Sequence, residues 1–292
     1  MTKRHHCRID GILATQANQA VIFRRGPNTH YQLSVWDLNA DAIEKGQWLL
    51  VGKIYTRRSD VSPDGRYLVI AATDYRRGKR ARDARQIPPG HDDYGWTAVS
   101  RPPYFAAIAL WFTGCSWNGG GIWRGNRELR VNNSEHSWYE AIAPPPSIAT
   151  SSLGHPWTED EPIFSLRLGD RGWQVRRKEE WEPRTARSSP WITTRSGIME
   201  KPFQRGCLRR ETTQDWERWS VVDDSGVERR SWKPEEGHPQ WVDVNKAGRI
   251  VFGENGCLWA WDAFPDGEPA LIADLNDQAF ECVSAPDWAK EW

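Results

Sequence analysis

Residues Trp241–Asp262 read WVDVNKAGRIVFGENGCLWAWD. Three short runs, WVDV, RIVF and CLWAW, are rich in the β-branched and aromatic residues that favour strands. Asn-Lys-Ala-Gly and Glu-Asn-Gly separate the runs. Period two is the strand period, and short Gly-bearing tracts between such runs are turns. The stretch therefore predicts strand, turn, strand, turn, strand, ending in a Trp-Asp pair.

Copies of the same unit occur elsewhere. DVSPDGRYLVIAA (60–72) and DVNKAGRIVFGEN (243–255) share Asp-Val, a polar turn, Gly-Arg and an apolar strand. LSVWDLNAD (33–41) and LWAWDAFPD (258–266) share the Trp-Asp pair and an acidic turn. Further strand signals fall at Ala20–Arg24, Tyr31–Leu38, Gln47–Val51, Trp96–Arg101, Ala106–Phe112 and Glu128–Val131. Ile163–Lys178 and Trp216–Trp232 read as hairpins, and ALIADL and AFECV as two last runs. Residues 132–161, with Pro144-Pro145-Pro146, read as a surface excursion, because proline supplies no ladder donor. No window holds a strong helical period. One hairpin module repeated along the chain predicts an all-β fold, a β-propeller: a closed ring of small sheets, each too small to bury its faces alone. Units begin near 11, 58, 114, 184 and 240, which gives five blades in a single domain over 1–292. A six-blade alternative splits 114–240 into three.

DVSPDGRYLV resembles the repeat of the WD40-like/TolB-type β-propellers, and SVWDL and WAWD resemble the Trp-Asp strand end of WD40 blades. The whole chain also resembles an uncharacterised bacterial propeller family with GQW, SPDGxxL and SRPPY segments. That resemblance implies the fold and no particular activity.

Composition narrows the function. The chain carries 39 Lys+Arg against 39 Asp+Glu, so it has no global field toward nucleic acid or an anionic membrane. Its 19 Trp predict rigid packing between sheets. Five scattered cysteines without a CxxC predict neither a disulfide framework nor a zinc site. No secretory h-region and no apolar run of membrane length occurs, so the expected compartment is the cytoplasm. HHC (5–7) and HDD (91–93) lack a spaced second pair, so no metal and no cofactor is expected. GxSxG is absent, and Gly119-Gly120-Gly121 lacks the GK[ST] of a phosphate loop.

Two stretches carry candidate contacts. The run RRGKRARDAR places Arg76, Arg77, Lys79, Arg80, Arg82 and Arg85 in one polar insert, suited to an acidic partner. In SRPPYFAAIALW (100–111), Arg101 and Tyr104 flank a Pro pair, with Trp117 close in sequence. Arg, Tyr and Trp dominate binding hot spots. The expected function is non-catalytic protein–protein binding. The alternatives are a hydrolase or lyase acting on a small polar or sugar-like ligand in the central channel, and, less favoured by the neutral net charge, a nucleic-acid binder.

Overall fold

The computed structural model describes residues 6–26, 30–50, 52–75, 94–114, 116–133, 139–153, 160–179, 196–213, 216–233 and 241–292. The fold is all-β: five small sheets follow one another along the chain, the sheet set of a five-bladed β-propeller. The chain divides into two compact units, Met1–Arg167 with Leu275–Trp292, and Leu168–Asp274.

In the first unit, β1 (Arg8–Leu13), β2 (Gln19–Arg25), β3 (Tyr31–Asp37) and β4 (Ala42–Leu49) form an antiparallel meander. The second sheet contains β5 (Lys53–Ile54), β6 (Asp60–Val61), β7 (Leu68–Thr73), β8 (Gly95–Ser100) and β9 (Ala107–Phe112). The third contains β10 (Gly121–Gly125), β11 (Glu128–Val131) and β13 (Ala149–Ser152), and β12 (Tyr139–Ile142) joins the edge of the second. Residues 132–161 thus carry two short strands, both at sheet edges and largely exposed.

The alternation in β7 explains why these sheets need each other. Leu68, Ile70 and Ala72 enter one apolar cluster with Val21, Phe23 and Leu33 of the first sheet. Val69, between them, enters another with Trp123, Leu129 and Val131 of the third. One strand of period two serves two cores, so neither of its faces can be left to water.

An aspartate on each of three sheets bonds to an element beyond that sheet. Asp60 is fully buried; its Oδ1 accepts the Val61 N–H at 2.9 Å and its Oδ2 accepts the Trp123 N–H of β10 at 2.8 Å. Asp10 on β1 accepts the Gly11 N–H at 3.0 Å and the Thr56 hydroxyl. In the second unit, Asp243 accepts the Val244 N–H at 2.8 Å and the Lys201 ammonium at 2.6 Å. The Asp-Val repeat seen in the sequence is therefore an inter-sheet staple.

The second unit holds two sheets. One contains β14 (Gln174–Glu179), β15 (Ser196–Phe203), β16 (Gly206–Thr212), β17 (Glu217–Asp223) and β18 (Glu228–Trp232). The other contains β19 (Trp241–Val244), β20 (Ile250–Glu254), β21 (Cys257–Trp261) and β22 (Ala270–Asp274). The strand–turn–strand–turn–strand reading of Trp241–Asp262 is what the structure shows. Trp232 packs on Phe252 at 5.0 Å, which wedges one sheet against the other.

Two expectations are corrected. Ile163–Lys178 is not a hairpin: Asp160–Asp170 is a helix, α1, and β14 pairs with β15 instead. Ile163, Phe164, Arg167 and Leu168 are buried while Leu166 is exposed, a helical face inside an apparently alternating run. Arg58 pairs with Asp160 at 2.8 Å, and Arg167 donates to the Thr56 and Ser59 carbonyls, so the helix is pinned at two points. AFECV is not a strand either. There Val283 O accepts the Gln47 side-chain amide at 3.0 Å, so a side chain anchors the segment.

Asp60→Ala should strand two buried N–H groups and cost about 2–4 kcal/mol, whereas Asp60→Asn, which retains an acceptor, should cost less. Urea unfolding of the two variants checks this. A second prediction concerns the β17–β18 turn. Asp223 is held at about 2, below the usual 3.8, by the Ser225 hydroxyl first, then the Val227 N–H and Arg229. Stability from these bonds is complete above the ordinary aspartate value and is lost as pH falls through about 2. Asp223→Ala should therefore lower Tm at neutral pH, with the gap from wild type closing as the pH approaches about 2.

Candidate functional site

The site grows from an irregularity in β4. The β3–β4 register shifts between Gln32 and Ser34, so Gly46 and Gln47 together oppose Leu33. A bulge of this kind frees backbone groups from the ladder. The Gln47 N–H uses that freedom to donate to Pro103 O at 3.0 Å. Gly46 permits the approach, because a Cβ there would fall 1.9 Å from Pro103 O. The Gln47 side chain completes the clamp: its Oε1 accepts the Phe105 N–H at 2.7 Å.

Ser100–Tyr104 is thereby fixed as a loop. Pro102 and Pro103 are buried, and the Tyr104 N–H closes a turn onto Arg101 O at 2.9 Å. The Arg101 guanidinium lies over the Tyr67 ring at 5.6 Å and the Trp288 ring at 6.0 Å. Tyr104 meets Trp288 edge to face at 5.5 Å. Burial raises the Tyr104 phenol above its ordinary value, and nearby Glu44 adds to this, so the hydroxyl remains a neutral donor at physiological pH.

Trp288 arrives on the C-terminal segment. Arg24, almost wholly buried, donates to the carbonyls of Leu275, Asn276, Gln278 and Gly26. Asn276 Oδ1 accepts the Cys7 N–H at 3.0 Å. Further along, Trp292 Nε1 donates to Ile108 O at 2.8 Å, and its ring rests on Tyr67 at 5.2 Å. Tyr67 in turn stacks on Trp123 at 5.7 Å. Trp288 stands on this base 50% exposed.

Four segments distant in sequence thus meet: Gly46–Trp48, Ser62–Leu68, Ser100–Tyr104 and Trp288–Trp292. Arg101 and Tyr104 both reach the Trp288 ring. Trp117 is 62% exposed, and among the described residues no ring contact links it to the cluster. The carbonyls on either side of it, Ser116 O and Asn118 O, accept from Arg58 at 2.9 and 3.0 Å. Trp288 was missed in the sequence because the tail APDWAKEW carries no strand or turn signal that places it beside residue 104. Its only advance sign was the indole itself.

The basic run Arg76, Arg77, Lys79, Arg80, Arg82 and Arg85 lies outside the described residues, as does HDD (91–93). Tyr75 and Tyr94, which flank that stretch, stack at 5.2 Å. Of HHC, His5 is outside and Cys7 is buried. Among the described residues no group of three or more His, Cys, Asp or Glu is arranged to hold a metal ion. Among the described residues no helix is long and apolar enough to cross a membrane.

The sheet set defines the chain as a five-bladed β-propeller. No family model and no curated protein matches it. Among solved structures, it is similar to the SapL1 lectin in complex with α-methyl fucoside at 11% identity and a TM-score of 0.31, covering 94% of this chain and 81% of that one. It is also similar to the Dos1 propeller at 10% identity and a TM-score of 0.20, covering 93% and 74%.

Gly46→Ala should force Pro103 away from the bulge. The expected result is a Tm several degrees lower, from a strain of about 1–3 kcal/mol, with the Tyr104–Trp288 contact loosened. Thermal unfolding, with NMR of the Trp288 indole, checks both.

Proposed function

We propose that the protein is a non-catalytic binding protein that engages another protein through Arg101, Tyr104 and Trp288. The supporting observation is the half-exposed Trp288 indole, held edge-on by Tyr104 over a loop that Gln47 clamps. An exposed indole carries a large apolar face that water solvates poorly, so covering it is favourable. Holding it rigid beforehand removes most of the ordering cost of association. Arg and Tyr at its side match the composition of interface anchors.

The same reading keeps the kinship with WD40-like propellers, drawn from DVSPDGRYLV and the two Trp-Asp ends, and keeps the cytoplasm as the compartment. Among the described residues no two cysteines are joined by a disulfide, which fits a reducing environment.

The test is affinity capture from the native host, with wild type run beside Trp288→Ala, Tyr104→Ala and Trp117→Ala. A specific protein should be retained by wild type and by Trp117→Ala, and lost or reduced about ten-fold with the other two. Equal retention by all four, or no specific protein on the wild type, would overturn the proposal.

A further inference from the structure

Five arginines of the first unit show two uses of the guanidinium. Arg24, Arg58 and Arg167 are buried with their guanidinium groups on carbonyls or a carboxylate. Arg66 and Arg101 differ. Each lies over the Tyr67 ring, at 5.7 and 5.6 Å, and neither pairs with a carboxylate among the described residues. The Arg101 Nε is buried without a hydrogen-bond partner among them.

The sequence repeat sharpens the contrast. Gly65-Arg66 and Gly248-Arg249 are the same position in the two copies of the Asp-Val unit. Arg249 pairs with Asp262 at 2.8 Å. Arg66 keeps the position in the first copy without a matching acid.

A guanidinium held over an aromatic ring is attracted by the ring's charge distribution and keeps its terminal N–H donors, which match a carboxylate. Two such groups over one ring lie at most about 11 Å apart, since each is within 6 Å of the same centroid. In an extended chain, residues i and i+2 point to one side about 6.8 Å apart. Acidic side chains at that spacing span the gap.

The charges nearby leave room for this. Asp64 accepts the Ser62 hydroxyl and the Arg66 N–H, so its Oδ1 is engaged locally. Asp287 is paired with Lys290 at 2.9 Å. Glu44 lies near the Tyr104 hydroxyl, on the other member of the Trp288 contact.

We infer that Arg66 and Arg101 receive two carboxylates from an extended acidic segment of a partner protein, whose neighbouring apolar residue covers Trp288. The inference rests on the binding reading above and adds the chemistry of the partner. Ser62–Leu68 supplies one arginine and Ser100–Tyr104 the other, so the two-point grip exists only once the loops are assembled.

The test uses the full chain and a fluorescein-labelled octapeptide, Gly-Glu-Ser-Glu-Ser-Leu-Ser-Gly, in a fluorescence-anisotropy titration, with a Gln-for-Glu counterpart as control. The acidic peptide should bind, and the Gln peptide should bind about ten-fold more weakly or not at all. Arg66→Gln and Arg101→Gln should each weaken the acidic peptide about ten-fold, and raised salt should weaken it in wild type. If Arg101→Gln lowers Tm, Arg101→Lys keeps a charge without the fork and should still bind more weakly than wild type. No binding of the acidic peptide to wild type, equal binding of the Gln peptide, or unchanged binding by the double Arg66→Gln, Arg101→Gln variant would each overturn the inference. A captured partner that depends on Trp288 but is retained at wild-type level by that double variant would remove the acidic recognition and leave the binding function standing.

Discussion

The guanidinium of Arg24 ties the start of the chain to its end. It reaches the carbonyls of Leu275, Asn276 and Gln278, some 250 residues away in sequence, from within β2. A buried charge is tolerable only when its donors are satisfied, and here the acceptors come from the returning C-terminal segment. That segment in turn delivers Trp288 to Tyr104 and Trp292 to Tyr67. Without the return, Arg101 and Tyr104 would sit on a loop with no indole beside them. The site therefore depends on a contact that is neither in it nor near it in sequence.

Shared cores and shared aspartates do the same work between sheets. A short meander cannot cover both of its faces, so β7 sends Val69 to one side and Ile70 to the other. Apolar burial is non-directional and would tolerate sliding. Asp60 supplies direction, because its carboxylate accepts from Val61 and Trp123 at once. Asp10 and Asp243 repeat the device with a hydroxyl and an ammonium as the second donor. The indoles add partners of their own kind: Trp36 donates to Asp41 and Trp261 to Asp266 O, which fixes the acidic turn after each Trp-Asp pair.

Strands and turns were legible where period two and a turn glycine coincide in the Asp-Val and Trp-Asp units. Gly65, with φ +78°, takes the conformation that Pro63-Asp64-Gly65 demands, and β7 follows as read. Five sheets likewise followed from the recurrence of the unit. The α1 segment was misread because Ile-Phe-Ser-Leu-Arg-Leu alternates on paper while its buried set is helical, a choice made from afar by Arg58 and by the Thr56 and Ser59 carbonyls that take Arg167. Phe280–Val283 has strand composition but is held by Gln47 rather than a ladder. Half of the candidate site could be read, since Arg101 and Tyr104 are close in sequence. Arg66, Tyr67 and Trp288 could not, because only tertiary packing makes them neighbours.

The return of the C-terminal segment is tested most directly by hydrogen–deuterium exchange of wild type against Arg24→Lys. Lysine retains the charge but cannot reach several carbonyls in the geometry of a guanidinium fork. Followed by NMR, the Cys7 amide, which donates to Asn276 Oδ1, and the Trp292 indole N–H, which donates to Ile108 O, should exchange slowly in wild type and much faster in the variant, while the amides of β20 and β21 stay protected. Identical protection of the Cys7 amide and the Trp292 indole in both proteins would contradict the role assigned to Arg24.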